Sequence, residues 1–313
     1  MVALGIACAV AASCLYNASI ALQALEVRGI SREHSLKPSL LGRLIRNRRW
    51  LGATALGLAG WPLEIGALLL APLTVVQPCL ASGLILLLWL GAKRLGETPG
   101  RREWTAVAAI AIGVGGVALA APERTTDHAS AGAISLALLL VAIPIAAPYA
   151  LRFRLSPTQE GVNVGSAGRS TSAGSAANAG MIATLAVVSA GCGYAWTAIA
   201  SKLLTDELAA GSLLVAVAWL ATAGASEGLA LLSEMSALQR RAATHVAPVM
   251  FAVQVLVPVV LAPLIFGESW GDTPLGGAVL VASMAVAVSG TVLLAGSSAV
   301  GAVIDSAHAG DSD

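Results

Sequence analysis

The stretch Glu64–Ala92, EIGALLLAPLTVVQPCLASGLILLLWLGA, returns 170 residues later as Glu234–Ala262, EMSALQRRAATHVAPVMFAVQVLVPVVLA. Laid over each other without a gap, they share Glu64/Glu234, Ala67/Ala237, Leu68/Leu238, Thr74/Thr244, Val76/Val246, Pro78/Pro248, Leu86/Leu256 and Ala92/Ala262. The glutamate and proline matches carry most of the weight in so Ala- and Leu-rich a chain. One inserted residue later, Gly96-Glu97 matches Gly267-Glu268. Upstream, Cys14-Leu15-Tyr16 echoes Cys192-Gly193-Tyr194. The chain reads as two copies of one unit.

What the unit is made of follows from composition. Of 313 residues, 57% are hydrophobic and only 11% charged, against about 25% charged in a soluble domain. This excludes a water-soluble enzyme of ordinary composition, a nucleic-acid binder and a disordered scaffold. Cys8, Cys14, Cys79 and Cys192 lie inside apolar runs without metal or disulfide spacing, and read as small buried hydrophobes.

A bilayer core needs about 20 apolar residues per helix. Nine windows qualify: Val2–Leu25, Trp50–Leu70, Thr74–Ala92, Trp104–Ala121, Ala131–Leu151, Met181–Leu204, Ser212–Leu232, Val246–Phe266 and Leu275–Ala295. A turn at Ala71-Pro72 divides the second from the third, since proline suits a helix start. The first window reads as a retained helix, because no Lys or Arg precedes Arg28 as a signal peptide would require. With the N-terminus outside, 16 of the 18 basic residues fall on the inner side, and only Arg124 and Lys202 on the outer. That is the segregation expected of cytoplasmic loops. Trp50, Trp89, Trp104 and Trp270, at or near predicted helix ends, read as interfacial anchors.

The expected fold is therefore an all-α polytopic protein of the cell membrane, N-out and C-in. Residues 1–121 form a first four-helix unit with a basic cytoplasmic loop at 26–49, and 131–151 a single inverting helix. Residues 152–179 read as a flexible cytoplasmic linker, 180–296 as a second four-helix unit, and 297–313 as a disordered tail. The basic loop can lie on the anionic inner leaflet or act purely as a topology determinant. Four helices per unit keep the orientation, and the fifth crossing inverts the second unit. Such 4+1+4 inverted repeats are a transporter architecture, with the site near the midplane between the halves.

These residues carry a resemblance. An Ala-Leu pair, a proline in the next helix and a Gly-Glu at its end, seen twice, resemble the drug/metabolite transporter superfamily of EamA-like proteins. Trp50-Leu51-Gly52 and Ala67–Pro78, with nine spans and a long polar first loop, look closest to its NIPA-type magnesium transporters. The resemblance covers Trp50–Ala121 well and Ser212–Ala295 loosely. It implies alternating-access movement of small metabolites, drugs or ions, and in its NIPA-type form Mg²⁺. Gln239-Arg240-Arg241 in place of the Ala71-Pro72 turn departs from that form.

An ionisable group at mid-bilayer costs about 2.5–3.5 kcal/mol on insertion scales. Glu227, Glu64 and Glu234 are the carboxylates that meet this description, in that order of promise as pathway groups. Under the inverted axis, Glu64 and Glu234 lie toward opposite faces, with Glu227 closer to the centre, a ladder for a proton or cation. Structural interhelical hydrogen bonds are the plainer role, and Glu234 can pair with Arg240 or Arg241. Tyr16, Asn17, Gln77, Tyr194 and Gln254 are the polar residues that can line the same path, Tyr16 and Tyr194 as repeat mates. His245 reads as an interfacial histidine without a role.

Two motifs resemble enzyme signatures. Gly224-Ala225-Ser226-Glu227-Gly228 matches G-x-S-x-G, but that elbow needs a strand-to-helix turn. The same residues form G-x-x-x-G, which lets helices pack closely. Gly113-Val114-Gly115-Gly116 lacks the strand and acidic residue of a dinucleotide fingerprint and reads as helix packing. No Walker motif is present, so a gradient must drive any transport. The expectation is a non-enzymatic transporter without a cofactor, whose partners are a small solute or cation and the bilayer. A homodimer stays open. The alternatives are a membrane-embedded hydrolase using Ser226 and His245, or a non-transporting assembly subunit.

Overall fold

The computed structural model describes residues 2–70, 79–80, 83–95, 99–120, 131–155, 170–266 and 273–309. Among these the protein is helical throughout, with no strand. The helices are α1 (Val2–Arg28), α2 (Pro38–Leu44), α3 (Arg48–Leu70), α4 (Gly83–Arg94), α5 (Arg101–Ala120), α6 (Ala131–Leu155), α7 (Ser170–Ala209), α8 (Leu213–Leu238), α9 (Ala243–Phe266) and α10 (Ala278–Ala309). Five of them contain segments long and apolar enough to cross a bilayer: Ala3–Arg28, Gly132–Phe153, Gly180–Ser201, Leu213–Leu238 and Ala243–Leu261. The molecule is an all-α, membrane-embedded protein.

The composition explains why so much apolar side chain faces outward. Leu58, Ile112, Ile143, Leu214 and Val292 are all exposed, which a solvent of lipid tails accepts and water does not. Many interior positions are small: Ala9, Ala12, Ala24, Ala190, Ala195 and Ala230 are fully buried, alongside larger side chains such as Leu87, Leu88 and Ile110. Within the first half α1 packs along α3, and within the second α7 packs along α8. The halves meet chiefly along α5 and α10, with further contacts of α9 on α4 and α5. The α5–α10 seam is closed by glycines. A Cβ on Gly113 would collide with the Ala287 backbone, one on Gly116 with Ser283, and one on Gly290 would sit 2.7 Å from the Ala106 carbonyl. The 113–116 glycines are packing residues.

Helix α6 packs with the second half. Tyr149 Oη donates to the Leu229 carbonyl at 3.1 Å and lies 2.8 Å from Ser233 Oγ. Ser189 Oγ donates to the Ile145 carbonyl at 2.8 Å and lies 3.0 Å from Ser233 Oγ. Gly211, at φ +78°, makes the tight turn from α7 into α8, a left-handed position that favours glycine.

Several expectations are corrected. The 152–179 segment is helical through Leu155 and again from Ser170, where Ala173, Ala176, Ala177 and Ala179 favour helix; residues 156–169 lie outside the described part. The expected tail at 297–313 is helical to Ala309, again through alanines at 299, 302, 307 and 309. The basic loop is built into the protein. Leu36, Leu40 and Leu44 are buried, Pro38 opens α2, and the Leu36 N–H donates to Ser236 Oγ at 2.8 Å across 200 residues of sequence. Trp50 is no interfacial anchor: it is 3% exposed, and its indole N–H points at Met235 Sδ at 3.4 Å. Trp89 and Trp104 are exposed as anchors would be; Trp270 and the Ala71-Pro72 turn lie outside the described residues. Gly224 and Gly228 meet nothing within 4 Å, so the G-x-x-x-G face of α8 packs against no neighbour among the described residues.

One end of the bundle gathers the segments that carry the positive charge. Arg152 Nη2 reaches the Glu33 carbonyl at 3.2 Å, Arg241 Nη2 reaches Thr184 Oγ1 at 2.5 Å, and His245 Nε2 lies 3.7 Å from Glu103 Oε1. The loop after α1, the start of α5, the end of α6 and the α8–α9 turn therefore share this basic end. Replacing Ser236 with alanine leaves the buried Leu36 N–H without its acceptor. The expected cost is about 1–3 kcal/mol, read as a lower thermal midpoint in detergent.

Candidate functional site

A tyrosine in the first helix of each half reaches a glutamate in the second. Tyr16 Oη on α1 donates to Glu64 Oε2 on α3 at 2.6 Å. Tyr194 Oη on α7 donates to Glu234 Oε2 on α8 at 2.5 Å. Both tyrosines and both glutamates are repeat mates. A second bond repeats with them: Ser19 Oγ donates to the Ala53 carbonyl at 2.7 Å, and Thr197 Oγ1 reaches the Ala223 carbonyl at 3.4 Å. In each case the first-helix residue is displaced by 178 positions and the second-helix residue by 170. The eight-residue difference is taken up by the longer loop between α1 and α3.

The two pairs differ in setting. The Tyr16 ring lies over Gly60, where a Cβ would stand 2.8 Å from its Cε1, and Glu64 is half-buried. Glu234 is 3% exposed. Its pairing with Arg240 or Arg241, held open above, does not form. Arg240 Nε turns to Ser35 Oγ at 3.4 Å, and Arg241 Nη2 to the Gly180 carbonyl at 3.1 Å besides Thr184.

Glu227 has no counterpart. Its repeat position in α3 is Gly57, where a Cβ would come within 2.8 Å of Ser19 Oγ. In α8 the glutamate stands on the exposed face beside Gly224 and Gly228. It hydrogen-bonds with Thr197, the mate of Ser19, and lies within electrostatic range of Tyr194 and Glu234. At 1.5 Å of rise per residue, Glu234 lies about 6 Å from the basic end of α8, Glu227 about 16 Å, and Glu64 about 24 Å from that end of α3. The three carboxylates occupy three depths.

Of the other polar candidates, Asn17 is buried and donates from Nδ2 to the Ser13 carbonyl at 2.9 Å. Ser13 Oγ in turn binds the Leu80 carbonyl and accepts from the Gly83 N–H at 3.0 Å. These residues join α1 to the start of α4. Gln254 is half-buried on α9. Gln77 lies outside the described residues. Sequence reasoning missed Thr197 and Ser19, which the 178-residue offset of Tyr16 and Tyr194 also relates. It missed Tyr149, Ser189 and Ser233 too, which no repeat marks. No group of three metal-ligating side chains occurs among the described residues. Ser226 Oγ donates to the Gly193 carbonyl at 2.8 Å, and about 18 Å of helix rise separates it from the end of α8 next to His245.

Compared with protein-family models, with curated proteins and with solved structures, the chain matches none.

Proposed function

We propose that this chain is a secondary transporter of a small solute or ion, working by alternating access in the cell membrane as a multi-pass protein. It has nine spans in a 4+1+4 arrangement with inverted halves, 1–121 and 180–296, joined by the crossing at 131–151, N-out and C-in. The observation that carries this reading is the recurrence of one Tyr–Glu hydrogen bond at matched positions of both halves, at different depths. Gathering of the basic segments at one end of the bundle supports the orientation. Membership of the drug/metabolite transporter superfamily, and a NIPA-type relation within it, rests on the motifs alone.

In this mechanism a cation or proton meets Glu64 from one side, Glu227 at an intermediate depth and Glu234 from the other. Each tyrosine hydroxyl donates to its carboxylate while the site is empty and yields that oxygen when a cation arrives. Mg²⁺ prefers octahedral oxygen coordination and keeps much of its water. Carboxylates at three separate depths suit a hydrated ion handed along, or the protons that drive a small metabolite or drug. No cofactor takes part.

Sealed proteoliposomes test it, with Mg²⁺ entry and internal pH followed together and a panel of small organic solutes run alongside. Wild type is expected to move Mg²⁺ or a panel solute, and Glu227→Gln to lose that flux while eluting from gel filtration as wild type does. Equal flux in the variant removes Glu227 from the path. A folded wild type that moves nothing in the panel overturns the transporter reading and favours an assembly subunit.

A further inference from the structure

We propose that Arg32, Arg152 and Arg240 form a binding site for a phosphate-bearing anion at the basic end of the bundle. The site lies where the turn after α1 meets the ends of α6 and α8. It lies past the end of α8, beyond the last of the glutamates, and its test does not depend on transport.

The three arginines come from three separate elements and meet at one short turn, with Arg32 and Arg152 both within electrostatic range of Arg240. Arg32 belongs to a single 3₁₀ turn, Arg32–His34. Arg152, in the last turn of α6, donates from Nη2 to the Glu33 carbonyl at 3.2 Å. Arg240, just past α8, donates from Nε to Ser35 Oγ at 3.4 Å. The turn that they grip is fixed from beneath. Leu36 is held at φ +57°, a left-handed conformation rare for leucine, with its N–H on Ser236 Oγ. Gln239 Nε2 donates to the Ile30 carbonyl at 3.2 Å. Arg152 and Arg240 thus reach a turn that is anchored to the bundle.

The acceptors of Arg152 and Arg240 are both neutral oxygens. Among the described residues, no carboxylate lies within ion-pair distance of Arg32, Arg152 or Arg240. Arg152 Nη1 is buried with no hydrogen-bond partner among them, a state that buried polar groups seldom keep. Burial, and then the charges of Arg32 and Arg152, pull the Arg240 pKa below its usual range. Like charges brought together without a counter-ion cost stability, and an anion with several oxygens removes that cost. The planar fork of arginine matches phosphate in a bidentate way. Arg32 is exposed and Arg240 half-buried, so the cluster opens at the helix ends, the level of lipid headgroups. A headgroup phosphate and a soluble phosphate ester offer the same oxygens.

The test uses the full chain in a neutral detergent. Its thermal midpoint is followed against inorganic phosphate, against dioctanoyl phosphatidic acid, and against sodium chloride at matched ionic strength. A saturable rise of about 2 °C or more is expected with at least one phosphate probe and none with chloride. Phosphatidic acid alone identifies a headgroup site, inorganic phosphate alone a soluble ligand, and both the shared oxyanion. R32Q, on an exposed turn, is expected to lose the rise while its ligand-free midpoint stays at or above wild type, because repulsion is relieved. R240Q is expected to lose the rise as well. No rise in wild type with either probe, or a rise in R32Q equal to that of wild type, overturns the proposal.

Discussion

Gly113→Leu is expected to destabilise the folded bundle by about 3 kcal/mol, the upper end of what overpacking costs in a close-packed interior. The collision is with backbone: a Cβ at Gly113 runs into Ala287 of α10, and backbone cannot swing aside as a side-chain tip can. The same seam leaves no slack further along. Gly116 abuts Ser283, and Gly290 faces the Ala106 carbonyl, so α10 cannot shift away in either direction without losing other contacts. Because α5 and α10 are the main junction between the halves, the loss falls on their docking. The control is Gly224→Leu, on a face with nothing within 4 Å, which is expected to leave the midpoint within about 0.5 kcal/mol of wild type. Thermal unfolding of the three proteins in one detergent separates the cases. Equal midpoints for Gly113→Leu and Gly224→Leu would show that the seam is not a close contact.

Tyr194→Phe is expected to cost about 1.5 kcal/mol, near the top of what interhelical hydrogen bonds contribute in membranes, whereas Tyr16→Phe costs about 0.5 kcal/mol. The chemistry deleted is the same hydroxyl in both cases. The difference lies in the carboxylate left behind: Glu234 is 3% exposed, and a buried acceptor without its donor bears the full desolvation penalty. Glu64 is half-buried and bears less of that penalty. A double-mutant cycle with Glu234→Leu isolates the bond, because removing both polar partners can be nearly neutral. A coupling of about 1 kcal/mol or more is expected for Tyr194 with Glu234. Zero coupling would mean that the hydroxyl and carboxylate do not bond.

The residues of both pairs were legible in the sequence, but the pairing was not. Glu64 and Glu234 emerge from a slide of 170 residues, Tyr16 and Tyr194 from one of 178. Nothing in either slide says that each tyrosine turns to the glutamate of its own half. That depends on α1 lying along α3 and α7 along α8, with the loop between α1 and α3 absorbing eight extra residues. The 113–116 glycines were read correctly because small residues in an apolar helix have few uses other than close approach. The 224–228 pattern is the same signal and failed, since spacing within one helix cannot say whether a neighbour covers it. Arg240 and Arg241 were offered to Glu234 on proximity in sequence. Their long side chains instead reach groups on the first loop and on α7, which only the assembled bundle brings near. The helical start of α7 and the helical end of α10 were missed for a simpler reason: Ser, Gly and Ala are common to linkers and to helices, and alanine decided.

The bond from the Leu36 N–H to Ser236 has a bearing on how the chain is made. The turn that carries Arg32 leaves the ribosome long before its acceptor exists, and α3 through α7 must be synthesised and inserted in between. During that interval the turn lacks its footing, and leucine has no reason to hold a left-handed backbone. A nascent chain halted before residue 236 therefore carries an unanchored first loop, open to proteases that the finished protein resists. Completion of α8 is the step that locks it.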